Sequence, residues 1–249
     1  MTASRLLLAP LGLLVSLAVQ AGCLQSDPLR MWALAQKSKV MIQALYRQEQ
    51  SKTGGQPSRN LALLAVHLAS EGKLDARSVE YLSRHVQGRP EDHFAKLYEG
   101  YAWVFSAEKY SKEKNYLRAA EYLKRGFFLI DEAVDSDPDN WRLRYLRMRL
   151  DAFVPSDLGR YVVALKDASL LMQGTDPLPP GLRPFVATLK SSALDRSGKT
   201  AVAASDFEAV RTQFRGTEMA ALSSPCGLQT FFAAEEINGL LDYALGHDK

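Results

Sequence analysis

The stretch Ala187–Phe214 reads ATLKSSALDRSGKTAVAASDFEAVRTQF and decides the fold. Gly198 stands near its middle, at a position typical of a turn. Ala203 follows five residues later, Phe207 four residues after that, and Val210 three further on. Residues three or four apart share one face of an α-helix. A small side chain at Ala203 allows a second helix to approach closely, while Phe207 fills the groove between the helices. The stretch therefore predicts two α-helices packed as a hairpin.

Helical spacing continues through most of the chain. The stretch Tyr116–Val134 repeats apolar side chains at intervals of three and four residues, which places them along one helix face. These side chains are Leu117, Ala120, Leu123, Phe127, Ile130 and Val134. Turn-forming residues interrupt the pattern, as in Asp135–Asn140, whose side chains are suited to capping the next helix. Since no stretch shows the sustained alternation of a half-buried strand, we predict an all-α fold of antiparallel helical hairpins.

The spacing in Ala187–Phe214 resembles the tetratricopeptide repeat, a helix pair of 34 residues with small side chains where the two helices touch. A partial second match places Tyr161 and Ala164 at corresponding positions, and a looser match lies earlier in the chain. The resemblance spans residues 91–214 and implies a short α-solenoid of stacked hairpins, with residues 215–249 as a C-terminal capping helix. An unrelated helical bundle with similar hairpins is the alternative.

The amino terminus is typical of a secretory signal. Arg5 supplies a positive charge, Leu6–Val19 is an apolar run, and small residues precede Cys23. The apolar run is shorter than the ~20 residues that a membrane-spanning helix requires. We therefore expect residues 1–22 to be a signal peptide and residues 23–249 to form a single exported, all-helical domain.

Two fates are open to the first cysteine. Ala21–Cys23 resembles the end of a bacterial lipobox, although Gln20 stands where that motif usually has an apolar residue. This resemblance implies a lipid on Cys23 that anchors the periplasmic protein to a bacterial membrane. The alternative is ordinary cleavage after Ala21. Cys23 would then be available to pair with Cys226, because exported proteins meet an oxidising compartment.

Charge and motifs argue against several functional classes. The chain contains 31 basic and 28 acidic residues, and its formal net charge of +3 is too small to indicate nucleic-acid binding. The four histidines lack a second ligand at one-turn spacing, so we expect no metal site. No phosphate-binding loop or nucleophile motif occurs. We therefore expect no cofactor, no catalytic residues and no enzymatic activity.

The helix predicted after Asn140 carries four arginines, Arg142, Arg144, Arg147 and Arg149, which flank an apolar stripe. The guanidinium group presents a fork of donors that matches a carboxylate, so these arginines are candidates for lining a binding groove. In the alternative interpretation, their alkyl stems cover the edges of the stripe and their charges pair with acids on neighbouring helices.

Aromatic residues concentrate before this helix. Tyr98 and Tyr101 fall on an apolar stripe, whereas Trp103 falls off it and is therefore a candidate for a recognition surface. These patterns favour a non-catalytic module that binds a peptide or protein partner at the cell envelope. The repeats resemble those of outer-membrane assembly factors, secretin pilotins and helical lipoproteins associated with TRAP transporters, and nothing in the sequence selects one of these classes. The alternative is a solute-binding accessory protein, for instance of a transporter, with a pocket between helices for an acidic small molecule.

Overall fold

The computed structural model describes residues 36–68, 76–173, 178–224 and 233–246, and these ranges contain helices and no β-strand. The first half comprises α1 (Gln36–Lys52), α2 (Arg59–Leu68), α3 (Ala76–Gly88), α4 (His93–Lys112) and α5 (Tyr116–Ser136). The second half comprises α6 (Trp141–Asp151), α7 (Tyr161–Gln173), α8 (Arg183–Arg196), α9 (Thr200–Gln213), α10 (Glu218–Leu222) and α11 (Ala234–Ala244). The predicted all-α class is confirmed for these residues.

Side-chain caps define where the central helices begin. The Asp92 carboxylate accepts a hydrogen bond from a backbone N–H in the first turn of α4, and Asn115 does the same for α5. Asn140 caps α6, where its Oδ1 accepts from the backbone N–H of Arg142 at 3.2 Å. Such caps satisfy N–H groups that have no partner within the helix. The capping role predicted for the Asp135–Asn140 turn is confirmed.

The helices α4 and α5 cross at two glycines. A methyl group on Gly126 would lie 2.6 Å from the carbonyl oxygen of Gly100 and 2.6 Å from Cγ2 of Val104. A methyl group on Gly100 would lie 2.6 Å from Cγ1 of Ile130. Further along, Trp103 and later residues of α4 meet earlier residues of α5, so the two helices run antiparallel. Only glycine permits backbones to approach this closely.

The hairpin of α8 and α9 is built around the residues that the sequence singled out. Gly198 adopts a φ of 82°, a left-handed conformation that favours glycine, and ends α8. Ala203 and Phe207 of α9 are buried with Leu194 of α8, and the half-buried Leu165 of α7 packs against them. The small side chain and the aromatic ring therefore lie at a seam between helices.

A larger cluster of buried apolar side chains includes members of every helix from α1 to α11. Val210 of α9 and Ala164 of α7 belong to this cluster, although Ala203 and Phe207 do not. Tyr98, Tyr101 and Tyr145 lie at its centre and are fully buried. The α8–α9 seam is thus a satellite of a more extensive core.

The observed helices differ from the sequence expectation in two places. The sequence pattern predicts a helix from Asp157 to Met172, but Ser156–Leu158 forms a single 3₁₀ turn. Gly159, with a φ of 68°, ends this turn before α7 begins. In the C-terminal part, the short helix α10 was not predicted. Residues 215–249 were expected to form a C-terminal capping helix, and their described part contains both α10 and, from Ala234 onward, α11.

Several sequence predictions fall outside the described residues. They are the signal peptide at residues 1–22, the lipid site at Cys23, and the alternative disulfide between Cys23 and Cys226. In the ranges that the structure does describe, no helix combines the length and hydropathy that a membrane crossing requires.

Candidate functional site

Arg144 and Arg147 of α6 are held by acidic side chains of neighbouring helices. Arg147 forms a bidentate pair with Asp167 of α7, with Nε 2.8 Å from Oδ2 and Nη2 2.9 Å from Oδ1. Arg144 donates to the same Oδ1 at 3.0 Å, and Arg147 Nη1 lies 3.4 Å from Asp131 of α5. Burial alone would lower the pKa of Arg147, but the hydrogen bonds and charge of Asp167 raise it. These contacts join α6 to α7 and α5.

Arg149 and Arg142 contact the last helix. Arg149 Nε donates to Glu236 Oε1 of α11 at 2.8 Å, and Tyr145 Oη donates to the same oxygen at 2.7 Å. Arg149 and Glu236 are both buried. The guanidinium of Arg142 lies 4.0 Å from the centre of the Tyr243 ring, which suits a cation–π interaction. These contacts attach α11 to α6.

The four predicted arginines therefore serve contacts within the chain. Pairing with acids on neighbouring helices, the alternative interpretation of the sequence, describes Arg144, Arg147 and Arg149. A guanidinium whose donors are directed at a buried carboxylate is poorly placed to clamp a ligand. The structure does not bring these arginines together around an open groove.

Trp103 lies in a seam between α4 and α5 and is half-buried. Its Nε1 donates to Glu99 at 3.1 Å, and its ring meets the Tyr122 ring edge-on at 4.8 Å. The guanidinium of Arg125 lies 4.0 Å from the centre of the indole. Tyr122 also shares a 3.2 Å hydrogen bond with Tyr110, which raises the pKa of Tyr122. Trp103 thus orders the hairpin while one part of it remains accessible.

The outer side of α5 exposes large apolar side chains. Tyr116 is 67% exposed, Leu117 is 76% exposed and Phe128 is 65% exposed. Ala120 and Lys124 are also exposed, and their spacing from Leu117 and Phe128 places them on the same side of the helix. We call these five residues the α5 face. Single exposed apolar residues are ordinary, but a group of them along one helix is typical of an interaction site.

A cavity of about 240 Å³ lies beside the α5 face, between α5 and the loop that follows α6. Apolar side chains dominate its walls. The lining residues are Ser111, Tyr116, Ala119, Ala120, Leu123, Phe127, Val154, Pro155, Asp157 and Leu158. Leu158 is itself substantially exposed at the rim. The volume falls below the roughly 300–1,000 Å³ of sites that enclose a drug-sized molecule, so the cavity suits an inserted side chain better.

Charged side chains of both signs surround this surface. Residues 108–125 contain six basic and three acidic side chains, an excess equal to the formal net charge of +3 of the whole chain. Lys114, Arg118 and Lys124 are exposed, and Arg118 lies over the Tyr110 ring with 4.9 Å to its centre. Glu121 is exposed on the same side of α5 as Leu117 and Lys124, and α5 as a whole carries four acidic and three basic side chains, so the charge of this surface is mixed.

Comparison of the chain with protein-family models, with curated proteins and with solved structures gives no match. In the described ranges, no group of three or more histidine, cysteine, aspartate or glutamate side chains is arranged to hold a metal ion. The features that bear on the role of this site are the exposed apolar side chains of the α5 face, the cavity beside them and the charged residues around them.

Sequence reasoning missed the α5 face for an identifiable reason. It assigned Leu117 and Ala120 to one buried stripe together with Ile130, whereas Ile130 is fully buried and Leu117 and Ala120 are exposed. Phe128 was not singled out. The adjacent pair Phe127–Phe128 was the available signal, because neighbouring residues on a helix point about 100° apart, which places Phe128 off the stripe that contains Phe127.

Proposed function

We propose that this chain is a non-catalytic binding module of the bacterial cell envelope, and that it holds a protein or peptide partner on its helical surface. The observation that carries the proposal is the α5 face, where Leu117 and Phe128 stay exposed next to a small apolar cavity. Burying such side chains against a partner gains free energy, at about 25 cal/mol per Å² of apolar surface. A partner with an apolar side chain for the cavity would gain most.

The envelope location rests on the amino-terminal sequence. The apolar run Leu6–Val19 and the small residues before Cys23 support export, and the lipobox-like ending supports a lipid anchor. Intact-mass measurement of the protein purified from its native membranes distinguishes acylated Cys23 from a Cys23–Cys226 disulfide. The two modifications exclude each other, since both use the Cys23 sulfur.

The arrangement we propose for the helices is a short tetratricopeptide-like stack. The left-handed turn at Gly198 and the burial of Ala203 and Phe207 support it. In such a stack, the α5 face would be the side of the α4–α5 hairpin that no other helix of the stack covers. A solute-binding role receives less support, because the predicted arginines are paired within the chain and Asp157 in the cavity wall would repel an acidic molecule.

Photo-crosslinking in cells tests the proposed surface. The photoreactive residue p-benzoylphenylalanine replaces Leu117 in one variant and Val202, an exposed apolar residue of α9, in a control variant. We expect position 117 to give a discrete crosslinked protein species that position 202 does not give. Filling the cavity with Ala120→Tyr should reduce that product severalfold. Equal products from both positions, or none from position 117, would contradict the proposal.

A further inference from the structure

The side of α5 that points away from the core carries two apolar and two charged side chains. They follow one another at spacings of four, three and four residues, and all four are exposed. At about 100° per residue, these positions fall within roughly 60° of one another around the helix. The same spacing forms the seam of a coiled coil, where two helices pack along a shared stripe. We call these residues the outer stripe; they are Leu117, Glu121, Lys124 and Phe128.

The outer stripe is complementary to itself when a second copy of α5 runs in the opposite direction. In an antiparallel pair with a twofold axis, residues that lie equally far from the axis on either side face each other. Positions 117 and 128 lie equally far from the midpoint of the stripe, and so do positions 121 and 124. A single axis therefore places Leu117 against Phe128 of the second copy and Glu121 against Lys124 of the second copy.

This register joins opposite charges at the centre and apolar side chains on both sides of them. Each copy contributes one carboxylate and one ammonium group, so two ion pairs form across the axis. Leu117 and Phe128 are each more than half exposed in the single chain, and the second copy covers both. The mixed charge of the stripe, which would oppose a uniformly acidic or uniformly basic partner, is matched by a second copy.

Two arginines beside the stripe are directed away from the second copy. In the same register, Arg118 of one copy and Arg125 of the other occupy neighbouring edge positions, and like charges across an interface oppose association. The guanidinium of Arg118 lies 4.9 Å from the centre of the Tyr110 ring, and that of Arg125 lies 4.0 Å from the centre of the Trp103 ring. Since both rings belong to α4, both charges are held at the α4–α5 seam.

We infer that the partner of the α5 face is a second copy of this chain, bound antiparallel with Glu121 on Lys124 and Leu117 on Phe128. This inference rests on the proposed function, because it names the partner at the same surface. The contact involves little more than one helix from each copy, so the pair is weak in dilute solution. Chains that share a membrane anchor site meet at a higher effective concentration, which favours the pair.

Sedimentation equilibrium of the full chain over a range of concentrations tests the inference through charge reversal. We expect the chain to pass from monomer to dimer as its concentration rises. Glu121→Lys and Lys124→Glu each place like charges against each other twice, and each should weaken dimerisation about tenfold. An equimolar mixture of the two variants restores both ion pairs in a mixed dimer, and it should associate about as tightly as the unchanged chain.

Recovery in the mixture is a readout that neither misfolding nor a general effect of charge would produce. The control Lys199→Glu alters an exposed lysine just before α9 and changes the net charge as Lys124→Glu does. It should leave dimerisation unchanged. Leu117→Ser removes an apolar contact at both ends of the seam and should weaken dimerisation about tenfold without rescue by either charge variant.

A chain that stays monomeric up to about 1 mM would overturn the inference, as would a dimer that both charge reversals leave unchanged. A mixture that associates no better than either variant alone would also overturn it. The proposed function has a separate criterion in the product crosslinked from position 117. A product with twice the mass of the chain supports the second copy, whereas a product of another mass would reject the second copy and retain the binding module. An absent crosslink would reject the module itself.

Discussion

The hairpins α4–α5 and α8–α9 solve the same packing problem in different ways. In α8–α9 the turn is made by Gly198, and the seam is filled by Ala203 and Phe207. In α4–α5 the helices are longer and cross through Gly100 and Gly126 in their interiors. The α8–α9 packing is visible in the sequence as repeat-like spacing. The α4–α5 packing depends instead on two glycines inside helices, where glycine is normally disfavoured.

The two hairpins also differ in what they leave exposed. The α8–α9 hairpin buries Ala203, Phe207 and Val210, which its periodicity selects, and leaves Val202, which lies off that stripe, exposed. The α4–α5 hairpin uses one side of α5 for its glycine crossing and presents Leu117 and Phe128 on another. A hairpin can therefore be tightly packed and still carry a second apolar side, which is then available for recognition.

Phe207→Ala should give the largest effect on stability. The substitution removes a ring that is 2% exposed from the α8–α9 seam, and such changes reduce the free energy of unfolding by about 3–5 kcal/mol. Urea unfolding measures the change. Val202→Ala on the same helix is the matched control and should stay within about 0.5 kcal/mol. A Phe207 effect no larger than that of the control would place the ring outside the packed seam.

Gly126→Ala should have the next largest effect. The added methyl group meets the Gly100 carbonyl oxygen and Val104, and such overpacking reduces the free energy of unfolding by about 1–3 kcal/mol, although alanine favours helix. Gly88→Ala is the control, because a methyl group at the end of α3 contacts nothing within 4 Å among the described residues. Equal stability of the two variants in thermal or urea unfolding would contradict the close crossing.

Acid should weaken the contact between α2 and α4 in a predictable direction. Burial, with the charge of Arg149, lowers the pKa of His67 to about 3, and His67 Nε2 lies 2.6 Å from Tyr98 Oη. The unfolded chain therefore takes up a proton below pH 6.5 that the folded chain refuses until about pH 3. Stability from this group is complete above pH 6.5 and falls as the pH decreases, by about 2 kcal/mol at pH 5.

Other groups titrate in the same range, so the comparison with His67→Gln isolates the effect. The difference in unfolding free energy between the chain and this variant should shift by about 2 kcal/mol from pH 7 to pH 5. The chain should lose stability relative to the variant. A constant difference would show that His67 is not held neutral by its surroundings.

Leu117→Ser should have the smallest effect on stability, within about 0.5 kcal/mol, because the side chain is 76% exposed. This result would separate the α5 face from the core that the same helix supports. A loss of 2 kcal/mol or more in urea unfolding would instead show that Leu117 packs inside the folded chain, as its periodicity suggested.

Local patterns predicted much of the fold but little of the site. Helix spacing and turn residues were sufficient for the α8–α9 hairpin, because Gly198, Ala203 and Phe207 act within 10 residues of each other. The pair Arg149–Glu236 joins residues separated by 87 positions, so no local pattern could reveal it. The glycine crossing has the same limitation, since Gly100 and Gly126 become partners only when both helices are placed.

The exposure of the α5 face could not be predicted from the sequence for a further reason. Periodicity states which residues share a side of a helix, but not whether a neighbouring helix covers that side. Leu117 and Ile130 belong to one predicted stripe, but at about 100° per residue the stripe drifts around α5, so the two side chains point to different sides and the fold buries only Ile130. The amount of helix surface left uncovered depends on every packing angle in the stack, which the sequence pattern alone does not provide.

Hydroxyl-radical footprinting of the full chain, purified and inside cells, tests most directly whether the α5 face is a recognition surface. In the purified protein, Tyr116, Leu117 and Phe128 should be oxidised readily, as should Met172 and Val202 elsewhere. Inside cells, the first three should be protected severalfold while the last two stay reactive. Equal oxidation of Tyr116, Leu117 and Phe128 in both settings would contradict the claim that a partner covers them.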